Sequence, residues 1–155
     1  MESPTISTMK KKKPDSKRAD GQQCAALPFA LDAKGRIRVL LLTSRETRRW
    51  VIPKGWSEPT LTPSRSAERE ALEEAGLIGE IADGPLGTYR YAKRLPAGRI
   101  VACEVQVFPF RVERQLKSWR EKGQRKARWV APGKAAKMVA EPELAKMILG
   151  LRASG

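Results

Sequence analysis

Residues 55–77 constrain this chain more than any other stretch, and the run Arg69-Glu70-Ala71-Leu72-Glu73-Glu74-Ala75-Gly76-Leu77 carries most of that constraint. The segment brings its own start and stop signals. Thr62 offers a side-chain oxygen to cap a helix, and Pro63 at the first helical position gives up an N–H that would have no partner there. Gly76 suits the left-handed residue that ends a helix, and Leu77 supplies the apolar contact that follows it. The spacing therefore predicts a helix over 63–75. Ala67, Ala71 and Ala75 recur every fourth residue and give it a narrow face of small side chains able to lie close against a sheet. Glu70, Glu73 and Glu74 stand at i, i+3 and i+4 beside that face, where like charges repel by roughly 0.2–0.5 kcal/mol per pair. Arg69 is the one cation within 66–77. Two readings are open on spacing alone: a solvated acidic face, or carboxylates gathered around a hard divalent cation.

The rest of the chain bounds the choice. At 155 residues it is long enough for one domain with a sizeable core. No apolar run approaches the length of a membrane span, and nothing resembles a signal peptide, so no membrane partner is expected. Cys24 and Cys103 lie in apolar, strand-like runs without metal-ligand spacing, which suits small buried residues in a reducing, cytoplasmic setting. There is no histidine, which excludes histidine acid–base chemistry, His-ligated zinc and any Ser-His or Cys-His nucleophile. The formal charge is +14, from 31 basic and 17 acidic residues. Residues 1–19, with the run Lys10 to Lys13, Pro4 and Pro14, are expected to be a disordered basic tail, leaving a domain over 20–155 that is itself basic. A surplus of this kind favours a polyanionic partner.

Strand and turn signals frame the helix. Gln22 to Leu31 and Ile37 to Thr43 read as a hairpin around Asp32-Ala33-Lys34-Gly35, with the second strand nearly continuous in apolar residues and hence central. Trp50 to Ile52 is a brief extended piece ended by Pro53, and Lys54-Gly55 opens the loop into the helix. Ile78 to Ala82, Gly87 to Leu95 and Arg99 to Val112 follow as strands, the last two joined by a turn at Pro96-Ala97-Gly98. Val101, Cys103, Val105 and Val107 alternate with period two, so Glu104 faces the other way. Ala127 to Val130 reads as a short strand, and Pro132 to Ala140 and Glu143 to Leu151 read as helices. The fold class is α/β (α+β), with a mixed sheet between helices.

Measured from Gly55, the same residues resemble the signature of the Nudix hydrolases: Gly, five residues, Glu, seven residues, then Arg-Glu-apolar-any-Glu-Glu-any-Gly-apolar. Gly55, Arg69, Glu70, Ala71, Glu73, Glu74, Gly76 and Leu77 fall at the required places, whereas Leu61 stands where the family has its first Glu, with Glu58 the nearest carboxylate. The resemblance implies a Nudix-type αβα sandwich and a hydrolase of pyrophosphate bonds that depends on Mg2+, or on Mn2+ in its place. It implies Glu73 and Glu74 as main metal ligands, and Glu70 as a further ligand or the group that orients the attacking water. Arg69 would hold a glutamate by an ion pair, and a carbonyl near Lys54-Gly55 would complete the metal site. Glu121, in the loop Trp119 to Gly123, is a candidate for an additional carboxylate.

Further residues resemble the diphosphoinositol polyphosphate and diadenosine polyphosphate branch of that family: Arg49 to Gly55, Thr43-Ser44-Arg45 and Gly123 to Trp129. That resemblance implies phosphate contacts from Lys17, Arg18, Thr43, Ser44, Arg45, Lys54, Arg125 and Lys126. Arginine suits such work because its planar fork grips phosphate through two N–H groups. Tyr89, Tyr91 and Trp56 could stack on a base, but aromatics at period two in a strand more often pack against neighbours. The expected substrate is a small, highly phosphorylated diphosphate, either a diphosphoinositol polyphosphate or a dinucleoside polyphosphate. The alternatives are an RNA 5′-pyrophosphohydrolase and a catalytically silent Nudix-fold module that binds RNA or another polyanion.

Overall fold

The computed structural model describes residues 21–151. The expected tail over 1–19, with Lys17 and Arg18, lies outside the described residues. The elements run β1 (Gly21–Leu31), β2 (Ile37–Thr43), β3 (Trp50–Val51), β4 (Lys54–Trp56), α1 (Pro63–Ala75), β5 (Leu77–Ile81), β6 (Gly87–Arg94), β7 (Ile100–Gln115), β8 (Ala127–Val130), α2 (Pro132–Met138) and α3 (Pro142–Leu149).

The long strands β1 and β7 pair in parallel, from Gly21 opposite Cys103 to Phe29 opposite Arg111. Each also serves two partners along its length. The first half of β1 meets β4 and its second half meets β2, while β7 meets β6 first and β5 later, all antiparallel. β8 and β3 extend the sheet beyond β2. The sheet is therefore mixed, and β2 is paired on both sides as its continuous apolar run predicts.

Alternation along β1 explains why both sheet faces are covered. Cys24 and Ala26 turn toward α1 with Leu40, Leu42, Phe108 and Phe110, against Ala67, Ala71 and Ala75. Ala25 and Leu27 turn the other way, with Val105, Val107 and Val139, toward Leu144 and Ile148 of α3. A strand buried on both faces must be apolar at every position, which is what Cys24-Ala25-Ala26-Leu27 provides. The alanine stripe, fully buried, lets α1 approach the sheet closely enough to bring its neighbouring glutamates to the edge of β4.

Two elements differ from the sequence reading. Lys54 to Trp56, expected as loop, is a strand antiparallel to Gln23 to Ala25. Three residues carry no periodicity, and Pro53 hides the continuity because it can accept the Ala26 N–H (3.0 Å) while donating nothing. β7 runs past Val112 to Gln115 because its charged end pairs with β5, with a register shift between Ile78 and Gly79.

Candidate active site

The helix that opens the site starts and stops where its sequence directs. Thr62 Oγ1 accepts the Arg65 N–H at 3.3 Å, and Gly76 ends α1 at φ 68°, donating its N–H back to α1 carbonyls. One turn apart on the inward edge, Glu70 and Glu74 face the same cavity. Burial pushes the Glu74 carboxyl up to about 8, opposed by Arg125 and reinforced by Glu70. Burial also raises Glu70. Gly55 of β4 faces this pair so closely that a Cβ there would overlap the Glu70 carboxylate. Its glycine is a steric requirement of the site.

The opposite wall comes from residues 116–126, which follow β7. This loop is fastened to the end of α1. The Leu116 N–H donates to Gly76 O (2.8 Å) and the Glu121 N–H to Glu73 O (3.0 Å). The Trp119 ring lies against Gly76, where any Cβ would collide with it. Trp119 Nε1 is buried without a hydrogen-bond partner. The loop's far end is stapled to β2, because Thr43 N–H donates to Lys126 O and Lys126 N–H donates to Thr43 Oγ1, both at 3.0 Å. Between the staples, Arg125 Nε and Nη2 both donate to Glu121 Oε1 (3.2 and 3.1 Å). Arg125 Nη1 donates to Thr43 O (3.3 Å), and Nη2 stands 3.7 Å from Glu74 Oε2.

These walls enclose a polar cavity of about 250 Å³ lined by Gly55, Glu70, Glu74, Glu121, Arg125 and Lys54 among others. Ser44 and Arg45 line it too, and Arg45 Nη1 donates to Gln124 Oε1 at 2.8 Å. Lys54, Tyr91 and Lys93 also border a larger chamber of about 430 Å³. The two spaces share Ser44, Glu46, Val51, Lys54, Tyr91 and Lys93 as walls; Glu70, Glu74 and Glu121 line only the first, and Arg49, Arg94 and Glu141 only the second. Burial lowers the Lys54 ammonium from its ordinary value, and its Nζ sits 5.1 Å from the centre of the Tyr91 ring.

Several sequence expectations meet a different geometry. Glu73 does not line the cavity; its Oε2 accepts from Arg69 Nε at 3.0 Å and lies 3.7 Å from Arg120. The reason is helical: Glu74 continues the stack one turn above Glu70, whereas Glu73 is rotated outward to Arg69. Arg69 thus holds a glutamate, as the resemblance implied, and that glutamate is Glu73. The Thr43 hydroxyl and the Lys126 N–H are spent on each other, and neither residue lines the cavity. Glu58 does not replace the acid missing at Leu61, because its Oε1 accepts from the Thr60 N–H and hydroxyl in its own turn. Leu61 faces a separate apolar groove with Arg65, Arg69 and Leu72. Glu104, on β7, pairs with Arg90 at 3.4 Å. The tyrosines act mainly in packing: Tyr89 is buried, and the Tyr91 hydroxyl donates to Gln23 Oε1 at 2.7 Å.

Sequence reasoning missed Gln23, Lys93 and Glu141. Glu141, buried and 3.8 Å from Arg49, borders the larger chamber. These residues come from three distant segments and share no spacing that would have marked them.

The donors at the acidic end are all hard oxygens, which fit a hard divalent cation better than any softer metal. Among the described residues no three acids already stand at ligand spacing. Glu70 and Glu74, one helical turn apart in the same cavity with Gly55 making room for the Glu70 carboxylate, would nevertheless hold such an ion.

Comparison with known proteins identifies the family and the fold. Residues 22–150 match the family described as NUDIX domain. Nudix hydrolase 13, mitochondrial, of Arabidopsis thaliana is 29% identical over 106 residues, covering 65% of this chain and 52% of that protein. The chain thus spans about half the length of this relative. Diphosphoinositol polyphosphate phosphohydrolase 3-beta of Bos taurus is 35% identical over 60 residues, 39% of this chain and 36% of that protein. The crystal structure of a C. elegans Ap4A hydrolase binary complex superposes with a TM-score of 0.60 at 19% identity, covering 83% of this chain and 93% of that one.

Proposed function

The chain belongs to the Nudix domain family, and we propose that it is a divalent-metal-dependent hydrolase that cleaves a pyrophosphate bond in a small, highly phosphorylated substrate. The observation that carries this reading is the buried Glu74 beside the half-buried Glu70, whose carboxylate is pressed against Gly55, with Glu121 and Arg125 lining the same cavity. Glu70 and Glu74 would hold the ion, assisted by a main-chain carbonyl near Gly55. Mg2+, or Mn2+ in its place, would supply charge neutralisation on the phosphoryl oxygens and a water of lowered pKa. The remaining work falls to the chain's own side chains. Glu70 orients the attacking water. Lys54, Arg45 and Lys93 bind the phosphates and carry them into the acidic end. Arg69 and Arg120 fix Glu73 and, through its backbone, the loop that bears Glu121.

The substrate class follows from charge. Lys54 and Lys93 line both spaces, Arg45 lines the smaller and Arg49 and Arg94 the larger, which suits a chain or ring bearing several phosphates. Diphosphoinositol polyphosphates and dinucleoside polyphosphates both meet that description, and the likeness to the bovine diphosphoinositol polyphosphate phosphohydrolase supports the former. A cytoplasmic location is part of the proposal, and the buried Cys24 and Cys103 suit a reducing compartment. The test is phosphate release from a panel of diphosphoinositols, dinucleoside polyphosphates, nucleoside triphosphates and 5′-triphosphate RNA, with Mg2+ or Mn2+. The first two classes should be turned over, and Glu74→Gln should reduce turnover about 10²–10⁴-fold. Turnover of none of them would favour a silent binding module, and turnover of the RNA alone would favour a 5′-end hydrolase.

A further inference from the structure

We propose that Arg125 is a built-in cation standing where a second divalent ion would otherwise sit, so that this pocket takes one metal ion with its substrate. The inference rests on the preceding reading that Glu70 and Glu74 hold a divalent cation, and it assigns the ion count and the role of Arg125.

Arg125 is a buried charge with fixed geometry. Its side chain is 12% exposed. Two of its N–H groups converge on Glu121 Oε1, a third reaches Thr43 O, and Nη2 faces Glu74 Oε2 at 3.7 Å. A guanidinium drawn this far from water is stabilised by the carboxylates beside it. Here it lies between Glu74 and Glu121, so these two acids already face a cation of the chain itself.

The other acids of the region are committed elsewhere or missing. Position 61 carries leucine, Glu58 caps its own turn, and Glu73 is held outside by Arg69 and Arg120. The cavity lining consequently holds as many basic as acidic side chains before any ion enters. Its carboxylates are Glu46, Glu70, Glu74 and Glu121, and its cations are Arg45, Lys54, Lys93 and Arg125. A site built for several ions needs a surplus of acids to offset their mutual repulsion. This one offers Glu70 and Glu74 on one helix edge, while a guanidinium already stands against Glu74 and Glu121. Such a fixed charge needs no loading and faces the region where charge accumulates on the transferred phosphoryl group.

The experiment counts bound Mn2+ by the paramagnetic resonance of free Mn2+, with and without methylene diphosphonate as a non-hydrolysed pyrophosphate. The wild-type chain should bind one ion, and Glu74→Gln should lose it. Arg125→Gln should bind a second ion, or the first roughly tenfold more tightly, because a repelling charge is gone. Arg125→Lys should keep the wild-type count. The double variant Arg125→Gln/Glu121→Gln, which removes both partners and leaves no buried charge unpaired, should return to one ion. Two or more ions in the wild type would overturn the inference, as would an Arg125→Gln protein, folded by circular dichroism, whose count and affinity are unchanged or reduced. In those cases the metal reading stands. Absence of Mn2+ binding in every protein would instead remove the metal reading, and the inference with it. Should Arg125→Gln fail to fold, the wild-type and Arg125→Lys counts decide.

Discussion

The two walls of the acidic cavity are built by different means. Glu70 and Glu74 ride on α1, whose cap, proline, alanine stripe and terminal glycine are all local signals. Glu121 and Arg125 ride on a loop with no periodicity of its own, held by a tryptophan laid over Gly76 and by a two-way staple between Thr43 and Lys126. The helix wall is positioned by turns of regular geometry and a rigid sheet beneath it. The loop wall is positioned by contacts made only after β2, α1 and β7 have come together. A catalytic group on a helix is therefore fixed by neighbours in sequence, and its counterpart on the loop by neighbours in space.

If that contrast is right, disturbing the helix wall should cost most. Glu70→Gln is expected to lower kcat about 10²–10⁴-fold, and Glu121→Gln about tenfold, each measured by steady-state phosphate release. Equal losses would erase the distinction. Gly55→Ala comes next, because its methyl group must push the Glu70 carboxylate aside. A displacement of that kind costs about 10²-fold in turnover, with Glu70→Gln/Gly55→Ala losing little beyond Glu70→Gln alone.

The loop wall should fail through its anchor. Trp119→Ala is expected to destabilise the chain by about 2–3 kcal/mol in urea titration and to lower turnover together with it. Trp119→Phe should be near neutral, since it keeps the ring over Gly76 and removes an N–H that has no partner.

Acidity offers a subtler comparison. Glu74 titrates at about 8 in the fold and near 4.5 when exposed, so between those values the folded state holds a proton that the unfolded state has released. Stability of the metal-free protein should therefore fall as pH rises from 5 to 8. Melting curves in chelator should show this slope, Glu74→Gln should flatten it, and Mn2+ should offset it at the alkaline end. The smallest effect is expected from Leu61→Glu, which restores the acid of the family signature at a position facing Arg65 and Arg69 rather than the cavity. Turnover should change less than about twofold, and a large gain would show that the departure at Leu61 limits the site.

The sequence by itself determined α1 from cap to cap, the alternation that buries Val101, Cys103, Val105 and Val107, and the mixed sheet with helices. It also determined that Glu70 and Glu74 share a helix edge near Gly55. Each of these rests on interactions between residues a few positions apart, and their geometry is the same in any protein. Only the tertiary structure decided that Glu73 turns to Arg69 and Arg120, that Glu58 stays in its own turn, and that Thr43 fastens a loop instead of lining the cavity. It alone placed Arg125 between Glu74 and Glu121, and Gln23, Lys93 and Glu141 among the walls of the two spaces. Those outcomes depend on which charged partners arrive within 4 Å after folding, and a buried carboxylate takes whichever cation the packed sheet, helix and loop bring to it.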